Sequence, residues 1–285
     1  MGLRIQNNVE AFNTHRQLST TANAASKAME RLSSGYRINR AADDAAGLAI
    51  SEKMRAQIGG LAQAQRNAQD GISLVQTAEG SLAEVHTMLQ RVRDLKVQYS
   101  NDTLSDDDKD AIAAEVFQIA SEIKNITDPT TGTQFNGKPV FGAAGFTFQV
   151  GANDGEEITT NSANFSGALA GGGLSEITGL ADAAAVKTAF DTGGLSTLAS
   201  LDSAITNVSK IRSEFGAVQN RLEHRLNNLA TYQENLTASE SRIRDVDMAS
   251  EMTNFTKLNI LQQAGVSMLA QANQAPQGVL SLLRN

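Results

Sequence analysis

Three histidines and one acidic segment are the side chains in this sequence that could bind a metal ion. His15, His86 and His224 are isolated, and none belongs to a His-Glu-x-x-His motif or to another ligand spacing of zinc sites. Residues 106–110 carry four aspartates but lack the glycine and distal glutamate of an EF-hand loop, and they follow Ser105 as a first helical turn would. We therefore predict no metal site.

Motifs for covalent or phosphate chemistry are also missing from the sequence. It contains neither a Gly-x-Ser-x-Gly elbow nor a Walker-type phosphate loop, and the run Gly171-Gly172-Gly173 lacks the strand–turn–helix context of a nucleotide site. Cysteine is absent, which excludes disulfides and thiolate metal sites. We interpret the apolar stripes as helix packing and not as the lining of a cofactor tunnel. The sequence thus predicts no catalytic residue and no cofactor, so the protein is not expected to be an enzyme.

The composition favours helix packing over nucleic-acid or lipid binding. Of 285 residues, 24 are basic and 31 acidic, and a net charge of −7 does not provide the basic surface that nucleic acids require. Aromatic residues make up only 5%, which suits narrow helix–helix seams. No apolar run approaches the ~18–20 residues of a membrane span, and the first residues lack a signal-peptide h-region. By these rules alone, a soluble cytoplasmic protein is expected.

Apolar residues recur every three or four positions through most of the chain, which predicts long helices. The expected helical segments are, in order, 1–33 closed by Gly35, 43–100, a shorter helix after the capping box at Ser105, 186–240 interrupted at Gly193-Gly194, and 242–285.

Turn-forming residues are concentrated between about 127 and 196. Asn136-Gly137 and Asn153-Asp154-Gly155 separate short β-capable runs, so we predict β-hairpins within 133–160. Residues 161–185 are expected to form a loose, variable loop. The predicted fold class is mainly α: an elongated helical hairpin or coiled-coil bundle with a small β-hairpin element in the middle. A helix of ~55 residues would be ~80 Å long, which favours an elongated subunit.

Both ends of the chain have apolar residues at helical spacing. The N-terminal set is Leu18, Ala22, Ala25, Met29 and Leu32, and the C-terminal set is Met252, Phe255, Leu258, Leu261, Ala264, Met268 and Ala272. Each set lies on one side of a helix and must find an apolar partner. Two such stripes at opposite ends of a hairpin-shaped chain indicate a subunit that assembles.

Motifs along almost the whole chain, apart from about 156–190, resemble those of bacterial flagellins. In order, they are residues 30–39, 41–50, 66–73, 134–137, 149–155, 260–265, 269–274 and 280–284. Arg40 and Ala42 stand where many flagellins have Ser and Lys, and Asn285 extends past the usual final Arg. The short middle implies that the large outer domains of many flagellins are missing or reduced to a loop.

The resemblance implies a division into five segments and a set of assembly residues. The segments are an N-terminal inner-tube helix (1–42), the N-terminal part of a rod domain (43–160), a short variable surface loop (161–185), the C-terminal part of the rod domain (186–240) and a C-terminal inner-tube helix (241–285). The residues expected to build the inner tube are Ile5, Val9, Phe12, Leu18, Met29, Leu32, Met252, Phe255, Leu258, Leu261, Met268 and Leu269.

The implied function is that of a structural subunit that self-assembles into the helical flagellar filament used for motility, with folding of its termini coupled to polymerisation. The implied location is extracellular, after export by the flagellar type III apparatus without a cleaved signal peptide. Other implied partners are a flagellin chaperone, the hook-associated and cap proteins, and host flagellin receptors, whose contact residues in the family match Arg91, Leu95 and Glu115. No nucleic-acid partner and no membrane insertion are expected.

Three alternatives stay open at this point. A hook–filament junction (hook-associated) protein would share the terminal helices and the rod, but such proteins usually match the motifs less closely. A cytoplasmic coiled-coil adaptor would share the periodicity alone. A flagellin with an enzymatic insertion would need a catalytic motif that this short middle lacks.

Overall fold

The structure is a computed structural model that describes residues 8–128, 130–141, 145–160 and 177–283. These residues form six α-helices and two two-stranded antiparallel sheets. In chain order the elements are α1 (Val9–Ser34), α2 (Ala45–Tyr99), α3 (Asp106–Thr127), β1 (Gln134–Phe135), β2 (Lys138–Pro139), β3 (Thr147–Gln149), β4 (Glu157–Thr159), α4 (Ala183–Asp191), α5 (Leu198–Arg244) and α6 (Met248–Leu283). The predicted fold class, mainly α with a small β-hairpin element, is confirmed.

The ends of α1 are fixed by the residues that flank them. The side chain of Asn8 accepts a hydrogen bond from the backbone N–H of Ala11 at 3.1 Å, which satisfies one of the free donors of the first turn. Gly35 ends the helix at φ 75°, and its N–H donates to the carbonyl of Arg31 at 2.9 Å. Since this backbone conformation strains any side chain, glycine is the residue expected there.

Acidic side chains begin the next two helices. The Asp44 carboxylate accepts from the N–H of Gly47 at 2.9 Å, one turn into α2. Asp43 instead accepts from the N–H of Arg40 at 3.0 Å in the connector, and this backbone hydrogen bond is the main cause that lowers the pKa of Asp43. At α3, Ser105 and Asp108 form both hydrogen bonds of a capping box, as the sequence predicts.

The chain divides into two compact units. We call the residues up to Ala56 together with those from Asn235 the terminal unit, and Gln57–Glu234 the central unit. The core of the central unit is made by aliphatic side chains of α2, α3 and α5 at the predicted three-and-four spacing. Its fully buried members include Val75, Leu82, Leu89, Val116, Ile123, Leu201, Val208 and Leu222.

Two hairpins complete the central unit. Asn136 and Gly137 both have positive φ values, 50° and 74°, which is the geometry of a tight hairpin turn between β1 and β2. In the second hairpin, Phe148 pairs with Ile158. This hairpin lies on α2, where the side chain of Asn67 donates to the carbonyl of Gln149 at 3.1 Å. The predicted hairpins are therefore present.

The predicted loop over 161–185 is wrong in its described part. Residues 161–176 lie outside the described residues, but Ile177 is buried in the core of the central unit. Helix α4 already begins at Ala183, where the side chain of Asp182 accepts from the N–H of Ala185 at 2.7 Å. The helix predicted from 186 with an interruption at Gly193-Gly194 is present, but it begins three residues earlier than predicted. The signal for the earlier start was the N-cap aspartate before an alanine run.

Candidate assembly surface

The terminal unit is held together by a narrow seam between α1 and α6. The buried residues of α1 are small, Thr21, Ala25 and Ala28. On α6, Gly265 leaves so little space that a Cβ atom there would lie 3.1 Å from the side chain of Leu18. Small residues let two helix backbones approach closely, but they bury little apolar area.

The connectors beside this seam are joined by backbone hydrogen bonds. The N–H of Val246 donates to the carbonyl of Gly35 at 3.0 Å, and the N–H of Arg37 donates to the carbonyl of Arg244 at 2.7 Å. The Arg244 guanidinium pairs with Glu52 and lies 4.9 Å from the centre of the Tyr36 ring. The segment after α1 and the segment after α5 are thereby fixed to each other.

Helix α1 exposes large apolar side chains outside the seam. Phe12 is 70% exposed, and Val9 and Met29 are also exposed. At about 100° per residue Met29 lies close to Leu18 around α1, as predicted, but the contact with α6 leaves its side chain exposed. The buried residues of α1 are small ones, including Ala28.

Helix α6 exposes apolar side chains in several directions. Positions around α6 can be measured from Leu258, which faces the seam, at about 100° per residue. On one side of Leu258 lie Met248, Met252 and Val266, and on the other side lie Leu261 and Met268. Ile260 lies almost opposite Leu258. All six of these flanking and opposite residues are exposed. Large apolar side chains therefore lie on several faces of α6, and α1 covers only one of these faces.

The residues predicted to build the inner tube thus fall into three groups. Val9, Phe12, Met29, Met252, Leu261 and Met268 are exposed, while Leu18, Leu32, Phe255, Leu258 and Leu269 are half-buried beside the seam. Ile5 lies outside the described residues. Met248, Ile260 and Val266 were not predicted, because the prediction followed a single stripe of apolar residues. Apolar residues at other positions around α6 would have indicated them.

Charge is scarce on α6. Between residues 248 and 274 the only charged side chains are Glu251 and Lys257, and the polar positions are mostly amides and hydroxyls. Interface cores are depleted in charged residues in the same way. Full burial of each large apolar side chain stabilises by about 1.5–3 kcal/mol. The exposed residues of α1 and α6 can therefore contribute substantial free energy to association.

The predicted receptor contacts lie in the central unit. Arg91 and Glu115 are exposed and form an ion pair, with 2.6 Å between the guanidinium nitrogen and the carboxylate oxygen. Leu95 is only 1% exposed and belongs to the hydrophobic core. The expectation that Leu95 is available beside Arg91 at the surface is therefore wrong, because its side chain lies on the core side of α2.

The three histidines lie apart from one another and from clusters of acidic residues in the described part of the chain. In the part of the chain that the structure describes, no group of three His, Cys, Asp or Glu side chains could hold a metal ion. His15 and His224 are exposed. His224 lies with Arg221 in a cleft of about 660 Å³ between the second hairpin and α5, whose lining contains no serine, threonine or cysteine. Among the described residues, no helix is both long and apolar enough to span a membrane.

A mainly α subunit whose terminal helices leave large apolar side chains uncovered is suited to assembly. Family comparisons give the class: the bacterial flagellin N-terminal helical region matches residues 5–144, and the bacterial flagellin C-terminal helical region matches residues 198–283. The chain is 51% identical to a flagellin of Halalkalibacterium halodurans, with 98% of this chain and 99% of the relative covered. It is 49% identical to a flagellin of Bacillus subtilis, with 99% and 100% covered.

This chain belongs to the bacterial flagellins, and its function is that of a structural subunit of the flagellar filament used for motility. A solved structure from Vibrio parahaemolyticus, provisionally described as a flagellar hook-associated protein, is similar with a TM-score of 0.54 and 17% identity. The alignment covers 71% of this chain and 100% of the Vibrio parahaemolyticus chain. At this identity the similarity concerns the fold alone.

Proposed function

We propose that the terminal unit drives filament assembly by burying its exposed apolar side chains against neighbouring copies of this chain. The observation that carries the proposal is the distribution of apolar residues around α6, where Met252, Ile260 and Met268 lie outside the seam with α1. The occupant is a second copy, because the family is one of filament subunits and α6 offers few charges to a charged partner. Contacts made by different surfaces of one subunit generate an open helical polymer.

Folding of the ends would then be coupled to polymerisation. Ordering a residue costs about 1–2 kcal/mol in backbone entropy. The narrow seam of alanine and threonine side chains offsets little of this cost within one subunit. Neighbouring subunits supply the missing burial, so the helical ends are stable in the polymer and only marginally stable in the monomer.

The proposed segments follow from the assembling role of the two ends of the chain. Segments 1–42 and 241–285 form the inner tube, segments 43–160 and 186–240 form the rod, and the segment between them is a short surface loop. The location is extracellular in the filament, reached through the flagellar type III export apparatus with a chaperone for the unfolded chain. Hook-associated and cap proteins are the neighbours at the two ends of the filament.

A pair of substitutions at one residue tests the assembly surface. Met252→Glu should raise the critical concentration for polymerisation by at least tenfold, because a carboxylate would be buried between subunits without a partner. Met252→Leu keeps the volume and polarity and should polymerise as the unchanged protein does. Sedimentation of polymers from purified subunits measures both, and circular dichroism verifies that each monomer is folded. Equal assembly of the two variants would contradict the proposed surface.

We further propose that Arg91 and Glu115 contact host flagellin receptors. Their ion pair is exposed on α2 and α3, so both side chains are accessible on the central unit of a monomer. Arg91→Ala should weaken receptor signalling by the monomer. The matched control is Asp94→Ala, because Asp94 is also an exposed residue of α2 but is not part of the ion pair between Arg91 and Glu115. Unchanged signalling by Arg91→Ala would show that the correspondence with the family does not apply.

The protein is proposed to have no enzymatic activity. The family is one of structural proteins, and the lining of the cleft beside His224 offers no serine, threonine or cysteine nucleophile. Purified filaments should hydrolyse neither casein nor ATP. Activity that persists through repeated depolymerisation and reassembly would contradict this.

A further inference from the structure

The accessible sulfur atoms of this protein are concentrated in the terminal unit. The sequence has seven methionines and no cysteine. Among the methionines whose side chains the structure describes, the four exposed ones are Met29 (55%), Met248 (47%), Met252 (51%) and Met268 (59%). Met29 lies on α1 and the other three lie on α6, whereas Met54 and Met88 are half-buried. The surface proposed for assembly is thus also the surface most open to an oxidant.

We propose that these four methionines are oxidation sites of the unassembled subunit, and that their sulfoxides prevent its incorporation into the polymer. The co-reactant is a peroxide. A lone pair of the thioether sulfur attacks one oxygen of hydrogen peroxide, a sulfur–oxygen bond forms and the oxygen–oxygen bond breaks. The sulfur loses two electrons, and the peroxide is reduced to water. The product is a polar sulfoxide that methionine sulfoxide reductases convert back to the thioether.

The consequence for assembly rests on the proposed function of the terminal unit. In the monomer, water satisfies a sulfoxide oxygen at no cost. Between subunits, that oxygen would leave water for a surface whose large side chains, such as Ile260, Leu261 and Val266, are apolar. A buried acceptor without a donor destabilises the assembled state. Assembly and oxidation therefore exclude each other: neighbouring subunits protect the sulfur atoms, and an oxidised sulfur opposes neighbours.

Peroxide treatment of the monomer and of the polymer tests this directly. Oxidation of each methionine is followed by peptide mass spectrometry. Met1 and Met88 lie in peptides that contain none of the four exposed methionines, so their oxidation is measured separately. Polymerisation is followed by sedimentation. The four sulfur atoms should oxidise at least tenfold faster in the monomer than in the polymer. The oxidised monomer should show at least a tenfold higher critical concentration, and repair by methionine sulfoxide reductases should restore the original value.

Leucine substitutions provide the matched variants. The combined Met29→Leu, Met248→Leu, Met252→Leu and Met268→Leu protein should polymerise after peroxide treatment, whereas Met88→Leu should remain as sensitive as the unchanged protein. Because the repair experiment uses the unchanged chain, it decides the question even if the fourfold variant does not fold. Equal oxidation of monomer and polymer would contradict the assembly surface itself. Protected sulfur atoms together with normal polymerisation of the oxidised monomer would overturn this inference alone.

Discussion

Individual residues were predictable wherever a local rule decides the conformation. Gly35 as a helix C-cap, Ser105 as an N-cap and Asn136-Gly137 as a hairpin turn all follow from neighbours within a few positions. Lys96 shows the limit of such rules. Its side chain is buried and donates to the carbonyl of Phe190 at 2.8 Å, a partner 94 positions away. Burial lowers the pKa of Lys96, which no local pattern indicates.

The capping box of α3 gives a pH-dependent prediction. The side-chain hydrogen bond from Ser105 is the main cause that lowers the pKa of Asp108 below 3.8. A carboxyl with a lowered pKa in the folded state contributes stability above its unfolded pKa, and this contribution is lost as the pH falls through the folded pKa. Asp108→Asn should therefore lower the melting temperature at pH 7, and the difference from the unchanged protein should narrow below pH 3.8.

Thermal unfolding of the monomer, followed by circular dichroism from pH 7 to pH 2.5, measures this difference. Asp106→Asn is the matched control, since Asp106 lies in the same first turn but takes no part in the capping box. A difference that stays constant over the whole pH range would show that the carboxylate of Asp108 does not act through its charge.

At the scale of elements, the periodicity of apolar residues predicted the long helices well, but it did not predict which residues form the seam between α1 and α6. The stripes of α2, α3 and α5 are buried as expected because large aliphatic side chains pack against one another there. In the terminal unit the buried residues of α1 are small, whereas Met29 of the predicted stripe is exposed, so the periodicity does not show which of its members the seam covers. Helix α4 was predicted with its start three residues late, whereas the burial of Ile177 was missed because that residue lies in a segment rich in Gly, Ala and Ser.

Substitutions at two glycines of α2 distinguish the effect of helix propensity on stability from the effect of packing. Replacing a helical glycine by alanine gains up to about 1 kcal/mol of propensity. Around Gly80 no atom would meet the added methyl group within 4 Å, so Gly80→Ala should stabilise the monomer. At Gly71 the methyl carbon would lie 3.1 Å from the ring of Phe148 and 3.3 Å from the buried Leu222. Gly71→Ala should therefore lower the melting temperature by displacing the second hairpin.

Chemical denaturation of both variants, with chymotryptic cleavage after Phe146 and Phe148 of the hairpin as a second probe, distinguishes these effects. Gly80→Ala serves as the control for propensity alone. Equal stabilisation by the two substitutions would mean that Phe148 moves aside without cost and that the hairpin does not depend on a glycine at position 71.

For the whole molecule, burial is divided unequally between the two units. The central unit buries large side chains from three long helices and two hairpins. In α1 of the terminal unit, the buried residues are Thr21, Ala25 and Ala28. Segments with few buried apolar contacts open at low free energy. The motifs allowed the assembling role of the ends to be predicted from the sequence, but the identity of the uncovered side chains depends on how closely α1 and α6 pack.

Limited proteolysis should reveal this difference between units. In the monomer, a protease should remove the ends and leave a resistant fragment that contains residues 57–234, the central unit, within the limits of about 43–240 expected from the sequence. In the polymer, neighbouring subunits would cover α1 and α6, so the same digestion should leave the chain intact. The trimmed fragment should keep the helical signal of the central unit but no longer form filaments, because it lacks Phe12 and Met252. Hydrogen exchange provides the opposing test: strong protection of residues 252–275 in a demonstrated monomer would show that the ends fold without neighbours.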